Sequence, residues 1–368
     1  MQKQHKHFID PWGSTLIENY TKLIKEFRLE PFDQDTLKIF PKPNYLMRRF
    51  ITFSGIGLKR IALAIKKKEK FYTLTAIMPS AEKLHLGTKQ VIENVKYFQQ
   101  FKSETYLGVA DLESAATRDV SLEEARERAL NFHIPAYIAL GLDPKKTTFY
   151  FQSQNEDVKN LAYIFSRKIT LNEFRSTYGN IDPGRILSSL AQSGDILFPQ
   201  LKEKMPGIIP VGIDQLPHVL LSRDLVRRTK SKFNFELPSA IFHKFTPSLD
   251  GSFKMSKSKP ESCIELPEDI NLVCKKLRNA MSGGRDTLEE HRRLGAVVEK
   301  DMVFEMLKQH LIMDDKKLNK IYNDYQSGKL LSKELKDIAC MEMEKFMNDF
   351  SKKLEIARKK VDKLKFIR

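Results

Sequence analysis

Apolar and polar positions follow three patterns along the chain, and each predicts a different kind of element. Residues 71–78 are a short run of β-forming side chains ended by Pro79, the pattern of a buried strand. Gly87 then opens a stretch whose apolar residues Val91, Val95 and Phe98 share one face of a helix. Residues 105–110 and the aromatic, threonine-rich 147–151 repeat the strand pattern, and 208–212 give another short strand before a helix-like segment. Between them, Ser121-Leu122-Glu123-Glu124 has the spacing of a capping box, and the helix it starts runs towards Gly141. Strands alternating with helices predict an α/β protein with a parallel sheet covered on both faces and ligands at the carboxyl ends of its strands. Beyond about residue 266 the strand pattern stops. Met343, Phe346, Met347, Phe350, Leu354, Ala357, Val361 and Leu364 then mark one face of a sustained amphipathic helix. The expected division is 1–69 packed on the core, 70–265 as the sheet domain with a helical insertion, and 266–368 as an all-helical domain.

Composition narrows this picture. A chain of 368 residues with 41% hydrophobic side chains has room for two or three domains with buried cores. Its 63 Lys and Arg against 47 Asp and Glu leave a formal charge of +16, which fits a polyanionic partner and fits solubility alone equally well. The basic end of the last helix (Lys352, Lys353, Arg358, Lys359, Lys360, Lys363, Lys365) is a solvated face unless the rest of the chain requires RNA. Cys263, Cys274 and Cys340 are too few and too scattered for a disulfide framework or a zinc site. No apolar run approaches the roughly 18 residues of a membrane span, and the first seven residues lack a signal-peptide core, so the expected location is the cytoplasm. His5 and His7 have no carboxylate or cysteine cluster nearby and predict no metal site. Ser54-Gly55-Ile56-Gly57-Leu58-Lys59 lacks the full spacing of a phosphate-binding loop and reads as a turn.

Two segments carry nucleotide chemistry. In Pro79-Ser80-Ala81-Glu82-Lys83-Leu84-His85-Leu86-Gly87-Thr88 a strand gives way to a helix. Gly87 lets a nucleotide approach the backbone, the helix start presents N–H groups to phosphate, and His85 can donate to a phosphoryl oxygen as charge develops. Taken alone, a histidine before a glycine is more often an ordinary surface or packed residue. The second segment, Gly251-Ser252-Phe253-Lys254-Met255-Ser256-Lys257-Ser258-Lys259-Pro260, alternates lysines and serines after a glycine-containing loop. Lys254 and Lys257 can neutralise a leaving pyrophosphate, with Ser256 and Ser258 adding hydrogen bonds. A basic surface loop is the plain alternative, but a five-residue Lys-Met-Ser-Lys-Ser run rarely arises by chance.

Together these segments resemble the two signatures of class I aminoacyl-tRNA synthetases. More narrowly, the chain resembles the tryptophanyl-tRNA synthetases of archaeal type over most of its length. Asp10-Pro11-Trp12, Gly212-Ile213-Asp214-Gln215 and Ser222-Arg223-Asp224 match that family's segments, and 282–295 and 324–330 match its most specific ones. The resemblance implies a Rossmann-type doubly wound sheet, an anticodon-binding role for 266–368, and a homodimer formed through the insertion. It implies ATP as substrate, with Mg2+ assisting. The amino acid carboxylate attacks the α-phosphorus of ATP, and the terminal adenosine of a tRNA then takes the aminoacyl group. Tryptophan and tRNA are the implied partners, with no part for DNA or a membrane. Position by position, His85, Lys254 and Lys257 would be catalytic. Pro79, Ser80, Gly87, Thr88, Gly212, Asp214, Met255, Ser256 and Ser258 would join them in holding ATP, and Leu74, Glu113, Gln192, Asp195 and Gln215 would hold the amino acid.

The amino acid is a separate question. Leu190-Ala191-Gln192-Ser193-Gly194-Asp195 lines up with the family's specificity helix, where the archaeal branch has the glutamine and the bacterial branch the indole-accepting aspartate. A buried acceptor left unpaired costs about 1–3 kcal/mol, so Asp195 would select against phenylalanine. The plain alternative is a helix-surface carboxylate, though Leu190, Ile196 and Leu197 favour a half-buried one. Three positions depart from the family pattern. Thr88 replaces a second histidine, Ala76-Ile77-Met78 replaces Gly-Arg-Gly, and Gly108 replaces a substrate-contacting glutamine. Rival readings are a tyrosine–tRNA ligase, a small-molecule adenylyltransferase, and an RNA-binding paralogue with weak catalysis.

Overall fold

The computed structural model describes residues 20–256 and 258–367. Asp10-Pro11-Trp12, His5, His7 and Lys257 therefore lie outside the described residues. Nine strands form among the described residues: β1 (Glu30–Pro31), β2 (Thr52–Ile56), β3 (Phe71–Ile77), β4 (Leu84–His85), β5 (Ser103–Val109), β6 (Thr147–Phe151), β7 (Gly207–Gly212), β8 (Ser239–His243) and β9 (Glu265–Leu266). Seven make one sheet in the order β1-β2-β8-β7-β3-β5-β6. The pairings from β8 through β6 are parallel, as expected. β2 pairs antiparallel with β8 on one side and β1 on the other. The order reverses at β3, with β5 and β6 to one side and β7 and β8 to the other. The carboxyl ends of β3 and β7 thus flank the topological switch point, where doubly wound sheets bind ligands.

The reading of 54–59 as a turn is corrected. Residues 52–56 are β2, and Gly57, with φ +72°, bends the chain directly into the helix Leu58–Lys67. The glycines hid the strand, but Gly55 has a packing reason: a Cβ there would lie 2.6 Å from the Ala240 carbonyl on β8. The Glu30 carboxylate accepts the Gly57 and Leu58 N–H groups at 2.6 and 3.2 Å, an anion at the positive end of a helix. That helix buries Leu58, Ile61, Ala62, Ala64 and Ile65 in a core shared with Phe71, Ile208 and Ile241 of the sheet. Ser121 caps its helix through the Glu124 N–H at 3.1 Å, and the chain stays helical to Ala139 through a π-helical turn at Ala129–His133.

Two compact units emerge. The first comprises residues up to Glu82, Val91–Lys244 and the chain from Arg358 on, and it contains the seven-stranded sheet. The second comprises Lys83–Gln90 and Phe245–Ala357. It holds the two-stranded β4/β9 sheet and the helices after residue 269. These units do not follow the expected boundaries at 69/70 and 265/266. β2 hydrogen-bonds into the main sheet. β4 is drawn the other way by antiparallel pairing with β9, Leu84 opposite Leu266 and His85 opposite Glu265.

The long helix Ser332–Arg358 buries Met343, Met347, Phe350, Leu354 and Ala357 as the sequence pattern implies. It stops at Arg358 and does not continue to Leu364. A 3-10 turn at Val361–Lys363 follows, and the chain then lies along β6, in the first unit. Among the described residues, no helix is long and apolar enough to cross a membrane.

Candidate active site

In the second unit, the two nucleotide signatures are built on one scaffold. Pairing of β4 with β9 is continued by the Leu86 N–H donating to the Ile264 carbonyl at 3.0 Å. The Ile264 N–H in turn points at the Met255 sulfur, 3.5 Å away, and Met255 is buried. Thr246 lies beside both. Its carbonyl accepts the Met255 N–H at 2.8 Å, and its hydroxyl stands 3.3 Å from where a Cβ on Gly87 would be.

Gly87 has a stricter role than letting a nucleotide approach. The Gly87 N–H donates to Nδ1 of His85 at 3.1 Å, and a Cβ at 87 would fall 2.7–2.8 Å from that imidazole. With Nδ1 accepting, the neutral ring carries its proton on Nε2, which is the form able to donate. Thr88 opens the helix Thr88–Phe98.

The 250s loop is held at its base. Gly251 has φ +83°, and a Cβ there would meet the Met281 sulfur at 2.4 Å. Burial works against the Asp250 charge, but hydrogen bonds from Ser252 and Lys259 outweigh it and hold the carboxyl well below the usual range. The Lys254 ammonium lies 4.8 Å over the Phe245 ring. Ser256 and Ser258 share a hydrogen bond of 2.9 Å between their hydroxyls.

In the first unit, the candidate amino-acid residues divide into two groups. Gln192, on the helix Pro183–Leu197, donates to the Glu113 carboxylate at 2.6 Å. Asp195, one turn further, is not a surface carboxylate: it is 3% exposed. One oxygen accepts the Tyr150 hydroxyl at 2.9 Å and the other the Gln152 amide at 2.5 Å. Burial pushes its pKa up to about 7, and the bonds from Gln152 and Tyr150 only moderate the rise. Tyr150 and Gln152 were not singled out in the sequence. Gly108 carries the trace of Tyr150, because a Cβ there would sit 2.5 Å from the Tyr150 oxygen. Any side chain at 108 would compete with the tyrosine hydroxyl for the same space.

Leu74 is buried in β3, opposite Tyr106 of β5. Pro79 and Ser80 follow β3, while Gly212 ends β7 and Asp214 and Gln215 form the turn after it. These five residues thus stand at the carboxyl ends of the two switch-point strands. Burial holds His218 and His243 neutral, with pKa values lowered to about 3 and about 4 against the opposing pull of Asp214. Among the described residues, no three His, Cys, Asp or Glu side chains gather in a way that could hold a metal ion.

The two most specific segments are structural. Asp301, fully buried, accepts the Gly283 N–H at 2.9 Å and the Tyr325 hydroxyl at 2.7 Å, and caps its own helix through the Val303 and Phe304 N–H groups. His291 and Arg292 donate to the Leu330 and Gly328 carbonyls at 2.9 and 2.8 Å, which ties 282–295 to 324–330.

Comparison with known proteins agrees. Residues 66–348 match the family model for tRNA synthetases class I (W and Y). The tryptophan–tRNA ligase of Methanocaldococcus jannaschii is 38% identical over 358 residues, covering 95% of this chain and 96% of that one. That of Aeropyrum pernix is 38% identical, covering 95% of each. The crystal structure of the Aeropyrum pernix tryptophanyl-tRNA synthetase superimposes with a TM-score of 0.88 at 37% identity, covering 97% of this chain and 99% of that one. The Plasmodium falciparum tryptophanyl-tRNA synthetase structure gives 0.83 at 27%, covering 92% and 94%. The chain belongs to the class I aminoacyl-tRNA synthetases, within the family of archaeal-type tryptophanyl-tRNA synthetases.

Proposed function

We infer that this chain is a tryptophan–tRNA ligase: it activates tryptophan with ATP and transfers it to the terminal adenosine of its tRNA. The observation that carries the activation step is the β4/β9 pairing, which with the Leu86–Ile264 hydrogen bond and the Ile264 N–H aimed at the Met255 sulfur sets both signatures on one scaffold. In this reading His85 donates to the phosphoryl oxygens from Nε2. Lys254 and Lys257 balance the charge of the departing pyrophosphate, and Ser256 and Ser258 add hydroxyl bonds to it. Pro79, Ser80, Gly212 and Asp214 hold the nucleoside part of ATP. Magnesium enters as the counter-ion that ATP carries. Leu74 and Gln215 line the amino acid, Glu113 and Gln192 fix its polar end, and Asp195 accepts the indole N–H.

Other parts of the reading rest on separate observations. The helical unit would bind the anticodon, with Lys352 and Lys353 among the cations offered to phosphate. Leu122, Tyr163, Leu171 and Leu187 are exposed apolar residues of the insertion, Tyr163 by 79%, and support a homodimer formed there. Three free cysteines fit a reducing cytoplasm.

Amino-acid-dependent exchange between ATP and pyrophosphate tests the whole. Exchange is expected with tryptophan. Exchange with tyrosine alone would make the chain a tyrosine ligase, and none with any amino acid, alongside RNA binding, would leave an inactive paralogue.

A further inference from the structure

The last residues of the chain do something that their basic composition conceals. The Phe149 N–H donates to the Lys365 carbonyl at 2.9 Å, and the Ile367 N–H donates to the Phe149 carbonyl at 2.8 Å, so this segment pairs with the outer edge of β6. The Phe366 ring packs on the same strand, 5.7 Å from the Phe149 ring and 5.8 Å from the Phe151 ring, nearly parallel to the latter. Arg126 stands 5.0 Å over the Phe151 ring, and Arg358 donates to the Asn131 carbonyl at 3.0 Å, so the segment is moored at its start as well.

Side chains alternate along a strand. Phe149 and Phe151 face Phe366, and Tyr150 between them faces Asp195. Gln152, which holds the other Asp195 oxygen, comes directly after β6. Whatever fixes the outer edge of β6 therefore fixes both donors to that carboxylate.

We propose that Phe366 is a positioning residue for the amino-acid site, acting through β6 on Tyr150 and Gln152 and so on Asp195. The proposal rests on the reading of Asp195 as the acceptor for tryptophan. Phe366 is only half-buried, so its truncation should leave a folded protein.

The test is pyrophosphate exchange by the full chain and by Phe366→Ala, Phe366→Tyr and Asp195→Asn. Phe366→Ala should raise the KM for tryptophan about tenfold while the KM for ATP and kcat stay within about twofold, the pattern of lost substrate positioning. Phe366→Tyr, which keeps the stacked ring, should restore the KM. Linkage requires the reverse effect too: saturating tryptophan should slow amide hydrogen exchange at Ile367 in the unmodified protein. If Asp195→Asn raises the KM for tryptophan and Phe366→Ala does not, the positioning role is wrong and the site reading survives. If neither variant moves it, the site reading fails and takes the proposal with it. If Phe366→Ala weakens ATP and tryptophan alike, or does not fold, and tryptophan leaves Ile367 exchange unchanged, the segment is purely structural and the proposal is overturned.

Discussion

Asp195 and Gly87 show how much can depend on one atom. Asp195 has a folded pKa of about 7, far above the ordinary 3.8, because burial disfavours its charge. The sign follows from proton linkage. Between those two values the folded protein holds a proton that the unfolded chain has released, so this group's contribution to stability declines as pH rises through the window. Binding runs the other way if the charged form accepts the indole N–H. The kcat/KM for tryptophan should rise with pH and level off above about 7, since this ratio reports ionisation of the free enzyme. Asp195→Asn should flatten the profile, and a wild-type profile without an inflection near 7 would contradict the assignment. At Gly87, a methyl group must displace the His85 ring. Gly87→Ala is expected to lower kcat for exchange by about tenfold or more, as loss of an aligned donor does, with little change in the KM for tryptophan. The signature residues were legible because they are contiguous. Tyr150 and Gln152 were not, because they meet Asp195 across 45 and 43 positions, and the missing Cβ at 108 bears on Tyr150 alone.

At the level of elements, legibility depended on how much of an element's reason is local. The parallel strands β3, β5, β6 and β7 are buried runs of β-formers and were readable as such. β2 was not, because its Ser54-Gly55 pair looks like a turn until the Ala240 carbonyl opposite is known. Gly55→Ala should accordingly destabilise the protein by about 1–3 kcal/mol, the usual cost of overpacking, measured by urea denaturation. A change below the error of that measurement would mean that β2 and β8 can move apart freely. The long helix Ser332–Arg358 announced itself by its period, while its end did not. Continued helix and a segment paired with β6 are equally compatible with Val361 and Leu364, and the choice was made by aromatic surface on a strand some 200 residues earlier.

For the whole molecule, the charge of +16 acquires a meaning that composition alone could not give it. A synthetase has one small-molecule reaction and one reaction with a polyanion, and salt should separate them. Raising salt should increase the KM for tRNA steeply, because bound phosphates displace counterions, while tryptophan-dependent exchange changes little. Equal salt sensitivity of both reactions would remove tRNA as the reason for the charge.

The pairing of β4 with β9 also places the phosphate-handling turn on a clock. Leu84 and His85 leave the ribosome roughly 180 residues before their strand partners, a wait of roughly 10–40 s at ordinary rates of synthesis. Until then the first signature has no scaffold. A nascent chain that has already made its central sheet strands should be unable to grip a nucleotide through this turn, and competence should appear abruptly, late in translation, rather than accumulate with length.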